Sequence, residues 1–421
     1  MRLNKLGLLI LISGGILFGI CTGSVYAGAL YIYEMGNSTD TGYAGAGLTA
    51  RATDAGTVFS NPAGMTRFEK STMLVGITPL YIYAPFDPDQ DTTTGGSDGS
   101  VKELFSGGSF AYIRPVTEKL TLGVSAQNYF GLALDWKPNS WVGRYEVTKA
   151  TIIAPQLQPT VAYKVNNWLS LGAGAGLTLG YLKDDARVDN LEPNLGDGKL
   201  TYDDTDFAVQ GNFGVMLEPS DRTRIGLRYL TETQLDFGGD IFFSGVGPII
   251  AEATKSLGDL DLGMKMPQSL MAGIFHQVND KWAVLGSVGW DDWSRFSRVH
   301  VRIDGTGVNT VVDAGFKDTW HFGVGAQYQY TPKLMLTAGF SYDSGMANDA
   351  KRPIMLPLGA MYRYGLGFKY QKSEDLLLGG GLSFLWEGDL KVKPAGGGVE
   401  GQVSGRYKNI SITFLSLYVQ W

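Results

Sequence analysis

The chain is poor in the residues that most active sites need. Cys21 is the only cysteine, and His276, His300 and His321 are the only histidines. No Gly-x-Ser-x-Gly elbow lies near any of the three, so a serine hydrolase is not expected. No metal-ligand cluster and no phosphate-cradling loop is visible, so no catalytic residue, metal or cofactor is expected. Basic tracts are absent too. The formal charge is −6, and −8 without Arg2 and Lys5, which argues against a nucleic-acid partner. Long hydrophobic runs are also missing. The longest, Leu6 to Ile20, is short of the ~20 residues that a membrane-spanning helix needs. It follows a basic start at Arg2 and Lys5 and precedes Val25-Tyr-Ala27, with small residues at the −3 and −1 positions of a cleavage site. Residues 1–27 therefore read as a secretory signal. Ile20 before Cys21 is a poor fit to lipoprotein processing. Without the signal no cysteine remains, which excludes disulfides and thiol chemistry.

Glycine and aromatics are abundant. Gly supplies 58 of 421 residues and aromatics 12%; the glycine share is about twice the usual one. Alternation is clear in several segments. Thr223, Ile225, Leu227, Tyr229, Leu235 and Phe237 fall on one face, with Arg222, Arg224, Arg228, Glu232, Gln234 and Asp236 on the other. Tyr362, Tyr364, Leu366, Phe368 and Tyr370 oppose Arg363, Gly365, Gly367 and Lys369. Val299, Val301 and Ile303 oppose Arg298, His300, Arg302 and Asp304. Period two means strands with one apolar face. Their length and aromatic ends favour lipid over a sandwich core.

Six short turn cassettes set the architecture. They run Tyr112–Gly123, Tyr163–Gly172, Met216–Gly226, Phe275–Gly286, Tyr328–Gly339 and Phe368–Gly379. Each joins an apolar strand end to an aliphatic strand start through a few polar residues. They recur roughly every 40–60 residues, the period of a hairpin array. Short turns at one rim and long loops at the other mark an outer-membrane β-barrel. Six short turns with both termini on that side imply fourteen strands. The expected strands are 71–84, 105–116, 120–136, 146–165, 168–183, 205–218, 223–238, 267–278, 281–303, 318–330, 334–344, 358–370, 376–391 and 407–421. The fold class is thus all-β: a fourteen-stranded antiparallel transmembrane barrel, 71–421, plugged by an N-terminal hatch, 28–70. That hatch segment is rich in small residues and lacks alternation. An open general porin would have no such plug. In the long loop 239–266, Val246, Ile249 and Ile250 could form an apolar capture groove for ligand. The chain ends on Trp421 after alternating apolar residues, which resembles the signal read by the barrel assembly machinery.

Thr53-Asp-Ala-Gly-Thr-Val-Phe-Ser-Asn-Pro-Ala-Gly64 resembles the hatch signature of the FadL family of outer-membrane transporters for long-chain fatty acids and hydrophobic compounds. Asp54, Gly56, Asn61, Pro62 and Ala63 carry it. Asn128-Tyr-Phe-Gly-Leu-Ala133, Trp293-Ser-Arg-Phe296, Gly315-Phe-Lys-Asp318 and Phe340-Ser-Tyr-Asp343 resemble later segments of the family, in order. The resemblance implies passive uptake. Ligand would be captured among the outer loops, held above the hatch, and released sideways into lipid where the third strand kinks. The kink maps to Asn128, Tyr129, Phe130 and Gly131, and glycine in a strand often marks such a bulge.

The resemblance further implies a single barrel working among outer-membrane lipid and lipopolysaccharide. The ligand it implies first is a long-chain fatty acid, with a neutral aromatic or aliphatic hydrocarbon, as in the toluene-type branch, as the alternative. A fatty-acid carboxylate needs cations in its pocket, because an unpaired buried charge is costly. Arg298, His300 and Arg302 are the expected set, with Lys183 or Arg187 as the second cation. Where the family pattern has a hydroxyl, Asp389 stands instead. A pocket without paired cations would favour the neutral ligand.

Overall fold

The computed structural model describes residues 30–192, 194–347 and 352–421. The expected signal, 1–27, lies outside the described residues. Fourteen antiparallel strands close into a barrel. β1 (Thr72–Pro88) and β2 (Gly99–Pro115) are unbroken. β3 comes in two pieces, Leu120–Gln127 and Gly131–Lys137, and β4 in Lys149–Ile153 and Gln156–Lys164. β5 (Leu169–Val188) and β6 (Gly198–Ser220) are long. β7 (Thr223–Leu230 and Thr233–Gly239) and β8 (Leu260–Met266 and Ser269–Gln277) are split. So are β9 (Trp282–Asp291 and Arg298–Ile303) and β10 (Val308–Asp313 and Thr319–Gln329). β11 (Leu334–Asp343), β12 (Met361–Ser373), β13 (Leu376–Gly398) and β14 (Gly401–Gln420) complete the wall. β14 returns to β1, with Leu74 opposite Gln420.

All six short turns form, and four share one local device. Backbone N–H groups of Val116, Val165, Val278 and Tyr330 each donate to the carbonyl four residues on. The next residue, Thr117, Asn166, Asn279 or Thr331, accepts two backbone N–H bonds on its side-chain oxygen. Such side chains mimic a backbone turn.

In the membrane half the alternation holds. Ile225, Leu227 and Tyr229 face outward while Arg224 and Arg228 are buried inside. On β12, Tyr364, Leu366, Phe368 and Tyr370 face out, and Arg363 and Lys369 face in. Above the breaks in β7–β10 the pattern inverts. Leu235 and Phe237 are buried, not outward with Tyr229, because the interruption at 231–232 shifts the register of faces. The upper pieces of β7, β8, β9 and β10 form a separate four-stranded sheet. Its outer side carries Gln234, Asp236, Arg298 and Arg302, and its apolar side turns inward. Several expected loops are partly strand, including 184–204, 304–317 and 392–406.

The N-terminal segment lies inside the barrel as short helical turns. From Leu30 to Met65 every residue is buried except Ile32 and Thr53. It touches strands around the whole wall. Wall glycines let the two backbones meet: a Cβ on Gly226 would lie 1.9 Å from the Thr49 carbonyl oxygen, and one on Gly339 1.8 Å from that of Tyr43.

Candidate functional site

Asn61 anchors the hatch signature. Its side chain accepts from the Ala63 N–H at 3.1 Å and donates to the carbonyls of Thr49 at 2.7 Å and Val215 on β6 at 3.0 Å. Pro62 opens the short helical turn that follows. Gly56 sits against Asn37, whose side chain would lie 2.1 Å from a Cβ there. Asn37 in turn donates to Asp54 at 3.1 Å.

Two buried ion clusters tie the segment to the wall. In one, Arg51 pairs with Asp40 at 2.5 Å and Asp54 at 3.4 Å, and Lys369 of β12 meets Asp54 at 3.1 Å. Burial pushes the Asp40 carboxyl up to about 6 despite Arg51. Burial acts on Asp54 too, but Lys369 and Arg51 outweigh it and hold that carboxyl well below its usual range. In the other cluster, Arg363 lies 3.1 Å from both Glu34 and Asp343. His321 bonds Asp343 at 2.8 Å, and Ser383 donates to Glu34 at 3.1 Å. Charges this deep are costly unless paired.

The expected kink is present. β3 is interrupted at Asn128–Phe130, and Gly131 resumes it with φ at +139°. A Cβ on Gly131 would lie 2.2 Å from the Ile152 carbonyl oxygen, so only glycine fits. β2 pairs with β3 from Phe110 to Pro115 and again at Ser100 and Val101. Among the described residues, Lys102–Ser109 of β2 pair with β1 but not with β3. The wall therefore has a hydrogen-bonding gap. Met35 of the inner segment fills its inner side beside Gly107.

The inner segment closes onto the kink itself. Ile32 N–H donates to the Tyr129 carbonyl at 2.8 Å, and Gly131 N–H to the Leu30 carbonyl at 3.0 Å. Tyr31 packs between Tyr129, Phe130 and Trp293, with ring centroids 5.5, 5.7 and 5.3 Å away. Its hydroxyl donates to the Pro267 carbonyl.

Beside this aromatic cluster lies a cavity of about 100 Å³. Leu132 of β3 and Ala150 and Ile152 of β4 form one side, with Leu182, Asp184 and Tyr202 of β5 and β6 next. Leu262, Met264 and Val299 of the upper sheet, then Phe296, Ala314 and Phe316, form another. Pro353, Met355 and Leu356 complete it.

The expected head-group cations are not assembled here. Val299 lines the cavity, so its neighbours Arg298 and His300 take the opposite, exposed face, as does Arg302. Arg298 pairs with Asp313 at 3.3 Å, His300 meets Asn309 at 2.9 Å, and Arg302 pairs with Asp261. Lys183 borders the cavity, but its ammonium lies 3.8 Å from Asp203. Arg187 lines a separate open cleft with Arg144 and Asp197. Asp389 is exposed and accepts from the Asn409 N–H at 3.0 Å. In the outer loop, Ile249 is 44% exposed while Ile250 is 4%, and Val246 is half-buried near Gly198. The three do not share one open face.

Tyr31, Glu34 and Asp184 were not singled out from sequence. Tyr31 and Glu34 fall in a segment without periodicity. Asp184 stands where a charge at the start of a loop is unremarkable.

Residues 19–416 match the family described as outer membrane protein transport protein (OMPP1/FadL/TodX). A long-chain fatty acid transport protein of Escherichia coli is 25% identical, over 83% of this chain and 85% of that relative. Outer membrane protein P1 of Haemophilus influenzae is 27% identical over 87% of each. Among solved structures, a FadL homologue of Pseudomonas aeruginosa superposes with a TM-score of 0.83 at 20% identity, covering 95% of this chain and 99% of that one. The Pseudomonas putida toluene transporter TodX gives 0.66 at 17%, covering 87% and 94%. The chain belongs to the OMPP1/FadL/TodX family of outer-membrane transport proteins.

Proposed function

We propose that the protein takes up uncharged hydrophobic small molecules passively. Ligand enters the cavity from the outer surface and leaves sideways through the gap between β2 and β3. The inner segment acts as the hatch: it must withdraw Tyr31 and Met35 before the path opens. The observation that carries this reading is the coincidence of three features. An apolar cavity, a break in wall pairing and the end of the plug meet at residues 128–132. A lateral path suits an apolar solute, which then never crosses water.

The charge pattern favours a neutral ligand. Among the described residues the one cation lining the cavity, Lys183, already faces Asp203, so a ligand carboxylate there would be left poorly paired at high cost. The toluene and monoaromatic hydrocarbon channels among the structural relatives fit this choice. Long-chain fatty acids are the second reading, favoured by the curated relatives named for that transport.

The test is uptake into vesicles carrying the purified protein, with toluene and oleate as probes. Toluene uptake should exceed the protein-free rate and be indifferent to Arg298→Ala and Arg302→Ala. Oleate uptake that falls in those two variants, with no facilitated toluene uptake, would overturn the neutral-ligand reading.

A further inference from the structure

Resting on the reading of the cavity as the ligand site, we infer that Asp184 recognises a hydrogen-bond donor on the ligand, so that the cavity prefers phenols to hydrocarbons of equal size and to aromatic carboxylates. Asp184 on β5 stands directly opposite Ala150 of β4 and Tyr202 of β6. Opposed residues share one face of a sheet, and all three line the cavity. Asp184 is only 8% exposed. Among the described residues no protein group donates to its Oδ1.

Among the described residues, none of the polar groups of the lining donates to Oδ1. The Tyr202 hydroxyl already donates to the Leu260 carbonyl at 3.2 Å. Lys183 borders the cavity, but its ammonium lies 3.8 Å from Asp203. The charged groups closest in effect are two more acids, Asp185 and Glu146. An acceptor held this way in apolar surroundings is unfavourable until a donor reaches it. A hydroxyl supplies one. A hydrocarbon cannot, and a carboxylate adds a second acceptor beside the first.

Size narrows the class. The cavity holds about 100 Å³, and an engineered cavity of roughly 150 Å³ holds benzene. A single ring, with small side-chain adjustments, is the scale that fits. A long acyl chain would overrun it.

The experiment is fluorine NMR titration of the detergent-solubilised protein with fluorobenzene, 4-fluorophenol and 4-fluorobenzoate. In the unmodified protein 4-fluorophenol should bind about tenfold more tightly than fluorobenzene, the scale of one hydrogen bond to a carboxyl group. Asp184→Leu should erase that preference and leave fluorobenzene binding within twofold. Asp184→Asn, which keeps an acceptor oxygen, should retain part of it. Ala314→Trp, which fills the cavity, should abolish both. Equal binding of phenol and fluorobenzene, still lost in Ala314→Trp, would overturn the role of Asp184 and leave the cavity as ligand site. Tighter binding of 4-fluorobenzoate than of 4-fluorophenol would overturn it too. Binding unaffected by Ala314→Trp, or no binding at all, would remove the cavity reading itself.

Discussion

Tyr31 of the inner segment and Phe130 in the kink of β3 form an isolated antiparallel bridge, their rings edge-on at 5.7 Å. The backbone bonds flank the pair instead of joining it, so this is the close, non-hydrogen-bonded kind of bridge. The break in the wall and the plug are therefore one structural unit. Moving either disturbs the other.

The ion cluster at Glu34 is a second attachment. Arg363→Met leaves Glu34 and Asp343 buried without their cation, at a cost of about 3–5 kcal/mol. The loss should fall on the inner segment, since the barrel wall keeps its ladder. Trypsin then cuts at Arg51, which is 2% exposed in the intact protein, at least tenfold faster than in the unmodified chain. Adding Glu34→Gln should slow that cleavage again.

Gly131→Val tests the kink. The position has φ at +139° and the Ile152 carbonyl oxygen where a Cβ would go. Backbone strain alone costs about 1–3 kcal/mol. The clash adds to it, so the denaturant midpoint should drop well beyond the effect of Gly→Val at an exposed turn.

Glu146, in the outer loop after β3, is 5% exposed, and its Oε2 has no partner among the described residues. Burial, then the charge of Glu400, pushes its carboxyl up to about 8 from 4.5. The folded protein therefore binds more protons than the unfolded chain between those values. The stability contributed by the protonated form is full below the unfolded value and is lost as pH rises toward 8. Glu146→Gln should match the unmodified protein's stability at pH 5 and exceed it at pH 9 by about 4 kcal/mol. Urea midpoints at the two pH values measure this.

The barrel was legible because lipid imposes one rule on every strand of the membrane half. Ile225, Leu227 and Tyr229 alternate cleanly with Arg224 and Arg228, and four of the six turns carry their own side-chain caps. The site was less legible because that rule ends above the lipid. Leu235 and Phe237 continue the apolar rhythm of β7 but point inward, and Arg298, His300 and Arg302 consequently point out. A sequence carries the rhythm without the two-residue interruption that reverses its meaning. Asn128–Gly131 was locatable by resemblance and by its glycine. Its partner Tyr31 was not, because a segment folded by burial of small residues against wall glycines has no period to read.

The central question is whether the inner segment must leave the kink for ligand to pass. Close, non-hydrogen-bonded bridge residues have Cα atoms ~4.5 Å apart, within the range a disulfide spans. In a chain whose only natural cysteine is Cys21, the pair Tyr31→Cys and Phe130→Cys can be joined by oxidation. Toluene uptake into vesicles is then compared before and after reduction of the same preparation. Uptake that is blocked when oxidised and returns on reduction is the predicted result. Equal uptake by the cross-linked and the reduced protein would contradict it.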